Sequence, residues 1–131
     1  VYQVKKLNYI FHSIYVIFDL MKEKVITKEI QQELEEITKS ILSVVSVKEI
    51  FLFGSYANGT PSENSDFDIY VVIPDNTMRP LDAMTKINIA VSKNQKRPVD
   101  ILVGSQSDFK KRSSLPYIEK EVFNKGIKIY A

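Results

Sequence analysis

A chain of 131 residues is the size of one domain, and at that length roughly two thirds of the unfolded surface can be buried without covalent cross-links. With 44% apolar residues, 26% charged residues and no cysteine, the composition is that of a soluble globular protein and excludes disulfides and thiolate metal ligands, leaving oxygen ligands or the single histidine, His12, for any metal. The net charge of +2, with basic residues scattered except at Lys5-Lys6, Lys93 to Arg97 and Lys110 to Arg112, gives no support for a nucleic-acid surface.

At the N-terminus Lys5-Lys6 precedes an apolar run from Leu7 to Met21. This run contains Asn8, His12, Ser13 and Asp19, is shorter than a membrane span and ends without a small-residue cleavage site, so it reads as neither a signal peptide nor a membrane anchor, and a cytoplasmic protein is expected. Val4, Leu7, Phe11, Ile14, Phe18 and Met21 recur at threes and fours, which predicts a helical extension over 1–26 that packs on the rest of the chain or serves a homodimer or partner contact. His12 has no second histidine to share a metal and is read as a packed or surface residue.

From residue 27 to 131 the pattern predicts one α/β (α+β) domain, a small mixed sheet flanked by helices. Thr27 can cap a helix whose inward stripe is Ile30, Leu34, Ile37, Ile41 and Val45, with Glu33, Glu35, Glu36 and Lys39 facing water. Val47 to Phe53 reads as a strand, Ser55 to Asn58 as a helical turn, and Thr60 to Ser65 as a loop. Asp66 to Ile73 is the second strand, Leu81 to Val91 a helix with Leu81, Met84, Ile87 and Val91 inward, and Pro98 to Val103 the third strand. Ser105 to Lys111 and Leu115 to Asn124 are expected to be closing helices. Gly126 ends the last one before a short extended piece, Ile127 to Tyr130.

Chemistry concentrates in two places on this layout. Asp66 and Asp68 are two positions apart at the head of an apolar strand, so their carboxylates share a face. Gly54-Ser55, ending eleven residues before Asp66, forms a turn whose backbone amides and hydroxyl suit phosphate. Asp100 stands alone at the start of the third apolar strand, where burial of an unpaired charge would be costly and a cation would remove that cost. If the second and third strands pair, Asp66, Asp68 and Asp100 converge into an oxygen cradle for Mg²⁺, or two such ions about 3.5–4 Å apart, as in-line phosphoryl displacement requires. Tyr56 and Tyr70 are expected to pack rather than accept nucleotide, and Lys110 to Arg112 to form a solvated helix face.

Gly54-Ser55, Asp66-x-Asp68 and the later Asp100 resemble the signature of the polymerase-β-like nucleotidyltransferase superfamily, and within it the minimal nucleotidyltransferases, over Thr27 to Ala131. The ending Glu119 to Tyr130 is also similar. The resemblance implies that Gly54 and Ser55 grip the nucleotide phosphates, that Asp66 and Asp68 hold both metal ions, Mg²⁺ or Mn²⁺, and that Asp100 ligands the catalytic metal and assists proton removal from the acceptor. It further implies transfer of AMP from ATP to a tyrosine of a HEPN-domain toxin, for which the chain would be the antitoxin. Transfer to a small hydroxylated molecule such as an aminoglycoside, or silencing of the partner by stoichiometric binding alone, are the alternatives. One departure is Asn58, where many relatives have arginine before the second glycine; Lys93, Lys96 or Arg97 are the candidates to replace that charge.

Overall fold

The structure is a computed structural model that describes residues 26–131. The helical stripe expected over 1–26, and His12 with it, lies outside the described residues apart from Ile26.

Helix α1 (Lys28–Val44) starts where Thr27, in extended conformation, accepts the amide of Ile30 on its hydroxyl at 3.2 Å. Ile30, Leu34, Ile37, Thr38 and Ile41 are buried, and Val45, the C-cap, is half-buried and packs against the same core as expected. Thr38 satisfies its buried hydroxyl by donating back to the Leu34 carbonyl at 2.8 Å. Glu33 departs from the expectation of a solvent-facing acid. Its side chain is 11% exposed because it is drawn into an ion pair with Arg97, 64 residues further on.

Strands β1 (Glu49–Phe53), β2 (Phe67–Ile73), β3 (Val99–Ser105) and β4 (Ile127–Tyr130) make one sheet in the order β3-β2-β1-β4. β1 runs antiparallel to β2 and β4, whereas β2 and β3 are parallel. A parallel neighbour cannot be reached by a hairpin, so the chain crosses over through α2's successor in sequence, helix α3 (Pro80–Ser92), α2 being the short turn Gly54–Asn58. Pro80 opens α3, where its missing amide hydrogen costs nothing. Ala83, Ile87 and Val91 form the buried face of α3, and Leu81, expected inward, is 64% exposed. At about 100° per residue, Leu81 lies about 120° around the helix from the centre of that face.

The strict alternation of β2 sorts its side chains onto two faces. Phe67, Ile69, Val71 and Ile73 enter the main core with Ile50, Leu52, Ile101 and the inner faces of α1 and α3. Tyr70 and Val72 point the other way, into a smaller cluster with Phe51, Phe53, Phe109 of α4 (Gln106–Arg112) and Val122 of α5 (Ile118–Lys125). Tyr70 donates its hydroxyl to Glu119 at 2.9 Å, and Arg112 meets the same carboxylate oxygen at 3.0 Å. Arg112 therefore does more than solvate a helix face. Gly104 on β3 makes room for this arrangement, since a Cβ there would fall 2.2 Å from the Tyr70 hydroxyl. Among the described residues no helix is long and apolar enough to cross a membrane.

Candidate active site

Asp68 and Asp100 are direct register partners in the parallel pair β2–β3, and Phe53 at the end of β1 is opposite Asp68 on the other side. Neighbouring strands are about 4.8 Å apart, so the two carboxylates leave the same face of the sheet side by side. Both lie at the strand heads, where with Ile118 at the start of α5 they border one recess. Asp66 sits one residue before β2 begins, half-buried, in a turn closed by the Ser62 amide donating to the Ser65 hydroxyl at 2.7 Å.

Gly54 completes the convergence. It follows β1 directly with φ of 72°, a backbone conformation that favours glycine, and a Cβ built there would lie 2.2 Å from Asp68 Oδ2. The close approach puts the first turn of α2 against the carboxylate. The amides at that turn have no intrahelical acceptors, and the N-cap, Phe53, offers no side-chain oxygen to them. Ser55 is in this turn, half-buried, its carbonyl accepting from the Thr60 amide at 2.9 Å.

Burial raises the pKa of Asp68 above the ordinary carboxylate value, and the charges of Asp100 and then Asp66 raise it further. The three acids thus feel one another. Among the described residues no three His, Cys, Asp or Glu side chains are close enough to enclose a metal ion, so the carboxylates form a converging set rather than a closed cage. The donor set fits a hard divalent cation. All its ligands are carboxylate oxygens, and a cation among them would cancel the repulsion that holds the Asp68 proton.

A recess of about 390 Å³ opens at this point, lined by Phe53, Asp68, Asn88, Val99, Asp100, Ile101, Leu102 and Ile118. Asp66 is not part of the lining. The larger cleft of about 580 Å³, between α1 and the segment after α3, contains Glu33 and Arg97 but none of the three aspartates. We place the chemistry at the smaller recess because Asp68 and Asp100 line it and Gly54 approaches Asp68.

Asp100 corrects one premise of the sequence reading. It is exposed, so no burial cost demands a counter-ion there. The reason is topological, since among the described residues β3 is an edge strand with β2 on one side alone. Tyr56 packs as expected, 3% exposed with its ring 4.8 Å from that of Phe67, and Tyr70 is likewise buried. Arg97, a candidate to replace the charge missing at Asn58, is instead engaged by Glu33 and Tyr56. Sequence reasoning missed Asn88 and Ile118 in the recess wall, which no local pattern links to Asp100.

The family model for a nucleotidyltransferase domain matches residues 28–129. Over 94 residues the chain is 31% identical to a Methanocaldococcus jannaschii protein provisionally named a protein adenylyltransferase, a match spanning 72% of this chain and 88% of that protein. Among solved structures, a toxin–antitoxin with AMP-PNP is 24% identical over 73% of this chain and 71% of its own, with a TM-score of 0.48. A mutant of the toxin–antitoxin MntA–HpeT is 22% identical over 72% and 70%, with a TM-score of 0.46. A provisionally assigned nucleotidyltransferase of Sulfolobus solfataricus is 21% identical over 91% and 84%, with a TM-score of 0.43.

Proposed function

Since this chain belongs to the nucleotidyltransferase domain family and is a nucleotidyltransferase, we propose that it transfers AMP from ATP to a hydroxyl of a partner protein, a tyrosine of a HEPN-domain toxin whose antitoxin it is. The observation that carries the reaction type is the Asp68–Asp100 register with Gly54 pressed against Asp68. The protein acceptor is supported by the M. jannaschii relative, whose name is that of a protein adenylyltransferase. It is supported too by the recess, whose apolar wall of Val99, Ile101, Leu102 and Ile118 suits a side chain presented by another protein.

In this reading Asp66 and Asp68 hold Mg²⁺, with Mn²⁺ as a substitute, and Asp100 completes the set. When bound, such a cation would supply charge neutralisation at the phosphates and would make the attacking hydroxyl more acidic. The first-turn amides of α2 and the Ser55 hydroxyl hold the triphosphate. The acceptor oxygen forms a bond to the α-phosphorus, the bond from that phosphorus to the bridging oxygen breaks, and pyrophosphate leaves with the electron pair. Asp100, exposed at the mouth of the recess, takes the acceptor's proton.

The test is mass spectrometry of the protein encoded beside this gene after incubation with the chain, ATP and Mg²⁺. Addition of AMP to the partner is expected, and Asp66→Ala with Asp68→Ala should lower it at least about 10³-fold, the loss of several kcal/mol of transition-state stabilisation. Undiminished labelling by the double variant would overturn the assignment. A stable complex that is never labelled would point to silencing by binding alone.

A further inference from the structure

Arg97 stands three residues before Asp100 and contacts the supports of every part of the site. Its Nε and Nη2 donate to the two carboxylate oxygens of Glu33 on α1 at 2.7 and 2.8 Å, a forked pairing that fixes the guanidinium plane. Nη1 donates to the phenol oxygen of Tyr56 on α2. Its Cζ lies 4.8 Å from the centre of the Phe67 ring and 5.6 Å from that of Tyr56. Tyr56 directly follows Gly54-Ser55, and Phe67 stands between Asp66 and Asp68. The Phe67 amide also donates to the carbonyl of Pro98, the residue after Arg97, at 3.1 Å. One guanidinium therefore ties the phosphate turn, the head of the acid strand and the entry to β3 onto α1.

We propose that Arg97 is a positioning residue that, held in plane by Glu33, sets the spacing between the Gly54-Ser55 turn and the Asp66-x-Asp68 pair. This rests on the nucleotidyl-transfer reading above. Tyr56 and Phe67 both belong to the core face, so Arg97 acts from behind the turn and the strand rather than on the phosphates themselves. The side chain is 27% exposed, and three of its N–H groups are committed to Glu33 and Tyr56. Lysine cannot take its place. A single ammonium lacks the planar fork that serves both Glu33 oxygens and Tyr56 while lying over two rings.

The experiment is calorimetric titration of wild type, R97K, Y56F and the R97K/Y56F double variant with AMP-PNP in excess Mg²⁺, below the thermal midpoint of each. R97K is expected to bind about tenfold or more weakly, since a small displacement of binding groups is amplified in affinity. Y56F, which removes one hydroxyl and keeps the ring, should weaken binding about threefold, and the double variant should bind no worse than R97K because both act through one contact. Affinities of R97K and Y56F within twofold of wild type, whatever their midpoints, would overturn the proposal. So would weak binding by R97K with normal binding by Y56F, which marks a direct phosphate contact. Should R97K fail to fold, Y56F decides alone. Wild type that does not bind AMP-PNP would remove the nucleotidyl-transfer reading instead.

Discussion

Asp68 is placed against its own stability. Its pKa is raised by burial first, then by Asp100 and Asp66, so the folded chain holds this proton more tightly than the unfolded chain. Ionisation of Asp68 consequently costs stability above its folded pKa, and that cost vanishes as the pH falls through it. Asp68→Asn should raise the thermal midpoint of the metal-free protein at neutral pH by a few degrees while reducing nucleotide transfer to background. In EDTA, the gap between wild type and variant should narrow as the pH is lowered through the raised pKa. A midpoint that does not move would mean that neither burial nor the neighbouring acids penalise the Asp68 charge. Gly54 is the complementary case, where Gly54→Ala adds a Cβ 2.2 Å from Asp68 Oδ2 at a φ of 72°. It should cost about 2 kcal/mol in urea unfolding, the combined result of the left-handed backbone and the displaced carboxylate.

Helix α5 is held to the sheet by the buried Val122 and by Glu119. Glu119 is buried, and its Oε1 accepts from both Tyr70 and Arg112, while its Oε2 has no hydrogen-bond partner among the described residues. Burial, and then the hydrogen bond to Glu119, raises the Tyr70 pKa well above that of an ordinary phenol. Tyr70→Phe should destabilise the domain by about 2 kcal/mol, the range for a hydrogen bond to a charged group, and a loss under about 0.5 kcal/mol would show that Arg112 suffices. Elements of this kind separate what sequence reveals from what it hides. Alternation in β2 and the three-and-four spacing of α1 are local, so both were legible, as was the convergence of Gly54, Asp68 and Asp100 through the order of strands. The Glu33–Arg97–Tyr56 contact joins residues 64 and 41 positions apart, and no periodicity encodes it. Leu81 was misplaced because a helix of mixed spacing admits two stripes. The exposure of Asp100 was hidden because strand composition does not reveal which strand lies outermost.

For the molecule as a whole, the arrangement predicts that fold stability and site occupancy are linked. Mg²⁺ with AMP-PNP should raise the thermal midpoint of wild type, by an amount equivalent to about 2.7 kcal/mol at a hundredfold excess over Kd, and EDTA should reverse it. The Asp66→Ala, Asp68→Ala variant should show no such rise; an equal rise would place the ligand elsewhere. The order β3-β2-β1-β4 has a further consequence for motion. β2 is hydrogen-bonded on both sides, whereas in the sheet of the described residues β3 has one free edge, so β2 amides should be among the last to exchange with solvent and β3 amides should exchange sooner. Asp68 then keeps its place until the whole domain opens, but Asp100 travels with a strand that can fray alone. On the proposed reading, opening of β3 alone would withdraw the proton acceptor while the phosphate turn stays in place, so a change that loosens β3 should slow transfer more than it weakens nucleotide binding.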